Sequence, residues 1–219
     1  MRTSTKELLK NAESIYKMLI EASRELTSEI SSVCKSLHLP RVEVLLSLRE
    51  FHKEEGEGAF IVCGLYDPVS RKILVSLPCL LRSGGRFDDK FLETLSHELV
   101  HHCQFAGGHD DICEVKLSVK DAELLAKILP YAHRPHEIEA YSKQHELSEL
   151  SKPYLASSEK LLMRVLHTLK NNVELKQPQW FSTLGLGTRD ECSAGSRLLK
   201  TLDSFTGSQH LFRATPVSS

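Results

Sequence analysis

No run of about 18 or more apolar residues occurs in the 219-residue chain, so the sequence offers nothing to span a membrane. Net charge is almost absent: 28 basic residues stand against 29 acidic ones. That balance gives no electrostatic reason to expect tracking of a nucleic-acid backbone. The six cysteines, Cys34, Cys63, Cys79, Cys103, Cys113 and Cys192, form no C-x-x-C pair, which argues against a structural zinc ribbon. The opening stretch "MRTSTKELLKNAES" lacks the apolar core and small-residue cleavage site of an export signal. A cytoplasmic location is therefore expected, with the cysteines as free buried thiols. In a hot or oxidising setting, Cys103 and Cys113 are the pair best placed to bond, because the intervening "QFAGGHDDI" carries two glycines and can fold back. No internal repeat is visible.

What is present is the mix of an ordinary globular domain, 41% hydrophobic and 26% charged. Leu8, Ala12, Ile15, Leu19, Ala22, Leu26, Ile30, Val33 and Leu37 recur at spacings of three and four, one apolar stripe of a long helix that Pro40 ends. "RVEVLLSL" alternates like a half-buried strand. "HKEEGEG" reads as a charged loop, "AFIVCGLY" as the second strand, and Asp67 and Pro68 turn the chain into the third, "RKILVSL". The expectation is a small antiparallel sheet with "RKILVSL" at an edge. Asp88 or Asp89 caps the next helix, on which Phe91, Leu95 and Leu99 face the core. Further helices are expected over 119–129, 135–150 and 157–170. Residues 1–171 then form one domain and 172–219 a looser extension, with a short helix near 192–202.

Within the helix after the sheet, "LSHELVHH" places His97, Glu98 and His101 in the pattern H-E-x-x-H. Positions i and i+4 stack one turn apart, so both imidazoles can face one ion. Zn2+ takes such nitrogens in a tetrahedral set. Glu98, rotated about 100° from His97, passes beside the ion and can act as a base toward an attacking water. The bland alternative is a surface helix in a chain with 11 histidines. The histidines, however, lie off the Leu95/Leu99 line on a well-patterned helix.

A catalytic zinc wants a third protein ligand. Candidates are His109, Asp110, Asp111, His133, His136, Glu137, Glu139 and His145. "RPHEIEAYSKQHE" opens a helix at Pro135, on which Glu137 shares the core face with Ile138, Ala140 and Tyr141, while Glu139 points to the polar side. Glu137 is the better ligand. Gln104 falls near the face of His101, and Tyr131, His133 and His136 precede or open the glutamate helix as possible transition-state donors. The carboxylates of "GGHDDICE" lack calcium-loop spacing.

"HELVHH" followed by "RPHEIEAY" resembles the gluzincin metallopeptidases, above all the soluble archaeal minigluzincins and the Ste24-like membrane peptidases. The resemblance covers about residues 40–150. It implies an α+β, zincin-like fold with a long N-terminal helix, a small sheet, an active-site helix and a glutamate helix, here followed by a helical extension. It also implies zinc held by His97, His101 and Glu137, with Glu98 as catalytic base. Glu137 and Ala140 match the family's E-x-x-A-D, whereas Tyr141 stands where an acidic or amide residue usually steadies a zinc-bound histidine. Tyr141 itself or Asp110 is the expected substitute.

The function expected is therefore zinc-dependent hydrolysis of a peptide or unfolded protein, lying extended along a sheet edge. A narrow-range regulatory protease cutting one repressor is an alternative. So is a non-catalytic zinc module that uses the N-terminal helix to bind partners; an intact Glu98 counts against it. The tail beyond Asn172 reads either as disordered or as an inhibitory, zymogen-like segment, with Leu211 and Phe212 in the substrate site and Asp203 or His210 at the metal.

Overall fold

The computed structural model describes residues 5–55, 58–82, 86–107 and 112–172. The extension beyond Asn172, with its expected helix near 192–202 and its inhibitory candidates, lies outside the described residues, as do His109, Asp110 and Asp111. The described chain is α+β, with a long first helix, a three-stranded sheet and a separate two-stranded one. Residues Leu19–Met163 form one compact unit, while the described ends, 5–18 and 164–172, belong to a second. No described helix is long and apolar enough to cross a membrane.

Helix α1 (Thr5–Ser36) follows the apolar stripe, with Leu19, Ala22, Leu26, Ile30 and Val33 buried. Two small polar residues on that helix face tie it to strand β1 (Glu43–Ser47). The Ser23 hydroxyl accepts the Leu46 N–H at 3.0 Å, and Thr27 Oγ1 accepts the Val44 N–H at 2.9 Å. These hydroxyls satisfy backbone groups of a strand that would otherwise be an open edge.

The sheet is mixed, not antiparallel as expected. Strands β4 (Gly64–Asp67) and β5 (Lys72–Ser76) form the antiparallel hairpin that the Asp67–Pro68 turn predicts, with Asp67 Oδ1 accepting the Val69 N–H. Strand β1, however, pairs parallel to β5, Glu43 opposite Lys72 and Ser47 opposite Ser76. A parallel pair needs a long crossover, and residues 48–71 supply it. Within that crossover "HKEE" is no loop. It forms strand β2 (Phe51–Glu55), which pairs antiparallel with β3 (Gly58–Val62) as a separate ribbon. "AFIVCGLY" is thus two strands that part at Cys63. The order β1-β5-β4 also puts "RKILVSL" in the centre, so the outer strands are β1 and β4.

Cysteine chemistry corrects the free-thiol expectation. Cys63, at the break between β3 and β4, is bonded to Cys79 of α2 (Leu77–Arg82), with Cα atoms 5.1 Å apart. Cys103 is bonded to Cys113, as the conditional reading anticipated, with Cα atoms 6.1 Å apart. Cys34 is free and buried, and burial pushes its thiol up to about 12.

Helix α3 (Phe87–Ala106) buries Phe91, Leu95, Leu99 and Val100, as the pattern predicts. Asp88 and Asp89 do not cap it. The N-cap is Arg86, without a side-chain bond, and the two aspartates lie in the first turn, where they suit the helix dipole. Gly107 ends the helix in the left-handed region, at φ 73°, with its N–H on the Cys103 carbonyl. Next come α4 (Val119–Ile128), with a Ser118/Asp121 capping box, and a 3-10 turn at Tyr131–His133. Helix α5 (Pro135–Ser151) then packs against α3, and α6 (Ala156–Asn172) follows a second short turn.

Candidate metal centre

Helices α3 and α5 bring three buried side chains together: His97, His101 and Glu137. His97 Nε2 and His101 Nε2 are 3.2 Å apart, and Glu137 Oε2 is 3.3 Å from each. Zinc at about 2.0–2.1 Å from tetrahedral ligands requires donor atoms roughly 3.3–3.4 Å from one another. The observed triangle has the size of one face of that tetrahedron.

The hydrogen bonds behind the triangle fix what these atoms offer. Gln104 Nε2 donates to the His136 carbonyl at 2.9 Å and to Glu139 Oε2 at 2.8 Å. Its amide is therefore oriented, and Oε1, 2.8 Å from His101 Nδ1, must accept a proton from that ring. On the other histidine, Gln144 Oε1 lies 3.2 Å from Nδ1, an acceptor placed for the same tautomer. With both Nδ1 atoms protonated, both Nε2 lone pairs converge with a carboxylate oxygen on one point. Three acceptors facing each other in a buried site are mutually repulsive unless a cation lies among them. A metal ion fits this donor set, and the set itself leaves the ion's identity open.

Electrostatics point the same way. Burial pushes the Glu137 carboxyl up, but the His101 and His97 rings, whenever they carry a proton toward it, and the Lys53 charge hold it well below the usual carboxylate range. Burial disfavours a charge on His101, yet the Glu137 and Glu98 carboxylates raise its proton affinity above the ordinary value. The site attracts positive charge.

Glu98, next in sequence to His97, is also buried. Its carboxylate lies against the backbone at the start of β4: a Cβ on Gly64 would stand 2.5 Å from Glu98 Oε1. A side chain there would have to push Glu98 or Thr94 aside, so Gly64 serves close approach and not a turn.

Each sequence candidate can now be placed. Gln104 steadies His101, as its helix phase suggested. Among the described residues the partner of the His97 ring is Gln144, two turns beyond Glu137 on the same face and missed in the sequence, and not Tyr141; the Asp110 alternative lies outside the described residues. Of the expected core face of α5, Glu137 and Ala140 are buried, but Ile138 and Tyr141 are exposed. The Tyr141 ring nevertheless lies 4.6 Å from that of His97. Glu139 lies outside the donor triangle; it accepts the Val115 N–H and the Gln104 amide. His133 is exposed on its turn, His145 is exposed on α5, and neither joins the cluster. His136 is buried with Nε2 3.8 Å from Glu137 Oε1, and burial lowers its proton affinity to about 4, which keeps it neutral near pH 7. Tyr131 reaches the site as well, its hydroxyl hydrogen-bonded to Glu137; burial and that carboxylate raise it far above the usual phenol range. His102, beside His101, is core: its Nε2–H donates to the Pro40 carbonyl at 2.7 Å and its Nδ1 accepts from the Tyr66 hydroxyl at 3.0 Å.

No family model, curated protein or solved structure matches the chain.

Proposed function

We propose that the chain is a zinc-dependent peptidase of zincin-like architecture. The observation that carries this reading is Glu98: a buried carboxylate next to the two histidines, yet not one of the three converging donors. A purely structural metal site has no use for such a group, whereas hydrolysis needs a base within reach of the ion's open position. His97, His101 and Glu137 would hold the ion, which supplies Lewis acidity toward a water and a carbonyl.

The chain's own residues do the rest. Glu98 takes a proton from the attacking water and returns it to the leaving amine. Gln104 and Gln144 keep both imidazoles in the tautomer that presents Nε2. Neutral His136 stands beside Glu137 as a donor for a developing oxyanion, a role the Tyr131 hydroxyl can share by turning from the Glu137 carboxylate. Strand β4, an outer strand that begins against Glu98, offers backbone groups to an extended peptide. This edge replaces the central β5 as the substrate platform and favours loops or unfolded segments.

The test is metal content and hydrolysis of an unfolded protein, compared between the wild-type chain and Glu98→Gln. Stoichiometric zinc in both, with hydrolysis only in the wild type, is the expected result. Equal hydrolysis by Glu98→Gln, or no zinc in a remetallated wild-type chain, defeats the reading.

A further inference from the structure

The two oxygens of Glu137 face different partners. Oε2 belongs to the donor triangle, while Oε1 is turned away, 3.6 Å from Lys53 Nζ and 3.8 Å from His136 Nε2. Lys53 comes from β2, a strand of the ribbon that the sequence presented as a loop. The same ammonium lies 4.5 Å over the ring of Tyr131, and Phe60, directly across the ribbon from Lys53, packs on that ring with centroids 5.0 Å apart. The ribbon is thus docked on Tyr131 by a cross-strand pair, and the docking aims Lys53 at Glu137. Its side chain is only 29% exposed, so little solvent stands between the two charges.

We propose that Lys53 is a positioning residue that makes Glu137 a one-oxygen ligand. A carboxylate left to itself can swing both oxygens onto a cation. With Oε1 engaged by an ammonium, Glu137 presents Oε2 alone, the ion keeps two imidazoles and one oxygen from the protein, and its fourth position stays open for substrate chemistry. The proposal rests on the metal reading above, and it assigns to the ribbon a purpose other than substrate binding.

The test uses the full chain loaded with cobalt(II), whose visible absorption reports coordination number. Lys53→Met removes the only charge proposed to hold Oε1, leaving the neutral Tyr131 and His136 beside the carboxylate, so Glu137 should bind through both oxygens, raising the coordination number and lowering the d–d absorption by roughly two-fold or more. Cobalt affinity should rise in the same variant, since a donor is gained and a repelling charge lost. Lys53→Arg, which keeps a cation at the position, should restore most of the wild-type absorption. Folding is read from circular dichroism, and Lys53→Gln repeats the measurement should Lys53→Met fail to fold. Wild-type absorption in a folded neutral variant overturns the proposal, even if affinity rises, because a rise alone is what loss of charge would give. A wild-type chain that binds no cobalt defeats the metal reading itself, a distinguishable failure.

Discussion

Gln104 accepts the Nδ1 proton of His101 at 2.8 Å and, through its own amide, holds the His136 carbonyl and the Glu139 carboxylate of the facing helix. One side chain therefore sets a ligand's tautomer and joins the two helices that supply the donor triangle. Partners of this kind typically matter by about 10–100-fold in metal affinity. Gln104→Ala should weaken zinc binding by about that factor, measured by competition with a chromophoric chelator. Gln144→Ala should have the same direction and a smaller effect, since its bond to His97 is longer and it is only partly buried.

The close approach of Gly64 to Glu98 makes a prediction of a different shape. Gly64→Ala places a methyl 2.5 Å from Glu98 Oε1 and 2.8 Å from Thr94 Cγ2, so the carboxylate must move. Zinc content should be unchanged, because the atoms nearest the added methyl belong to Glu98 and Thr94, outside the donor triangle. Hydrolysis should fall by about 10-fold or more, as expected when a base is displaced by about 1 Å. Wild-type turnover by a folded Gly64→Ala chain would mean that Glu98 is not the base.

Much of this site was legible because helical periodicity places i and i+4 side chains together. His97 and His101 follow from that rule and Gln104 from the i, i+3 neighbour relation, whereas Glu137 rested on the face of a second helix and on the family resemblance. What failed was the phase of α5. Its buried line runs through Glu137, Ala140, Leu147 and Ser151, with Gln144 half-buried between them, while Ile138 and Tyr141 face outward. A core stripe built partly of polar site residues hides its own hydrophobic period, and so Gln144 was overlooked. The ribbon of β2 and β3 was invisible for a related reason: a two-stranded piece outside the main sheet tolerates charge, so "HKEE" carried no strand signature. The parallel pairing of β1 with β5 is non-local, and no local pattern encodes it.

Glu137 and Glu139, two residues apart on α5, should separate sharply. Glu137→Ala removes a donor and should abolish stoichiometric zinc. Glu139→Ala removes the acceptor for the Val115 N–H and for the Gln104 amide. It should cost about 1–3 kcal/mol in unfolding free energy, and weaken zinc only through the loosened Gln104. Denaturant melts alongside metal titration distinguish the two. The opposite pattern would place the third ligand at Glu139.

Thiol chemistry gives the next prediction. In a Cys192→Ser background, denatured and non-reduced protein should show one reactive thiol, Cys34, because the other four described cysteines are paired. In the native state even that thiol should resist alkylation at pH 8, since burial holds it neutral up to about 12. The linkage sign follows. The folded state binds the Cys34 proton more tightly than the unfolded chain does, so this contribution to stability is complete below the unfolded value of about 8.5 and is lost as pH rises from there toward 12. Five free thiols after denaturation would contradict the paired arrangement.

The Cys103–Cys113 bond lies at one end of a chain of contacts that ends at His101 of the candidate metal centre. Cys113 is followed by Glu114 and Val115, whose N–H groups are held by Glu139; Glu139 holds Gln104, and Gln104 holds His101. Breaking the disulfide frees the segment that anchors Glu139, so reduction should reach the site without touching a ligand. Cys113→Ser should lower stability by about 2–4 kcal/mol and weaken zinc binding in the same direction as Gln104→Ala, but less. In a Gln104→Ala background the zinc effect of Cys113→Ser should shrink toward nothing, since the relay is already cut, while the stability cost should remain. A zinc effect that persists at full size in the double variant would show that the disulfide acts on the site by another route.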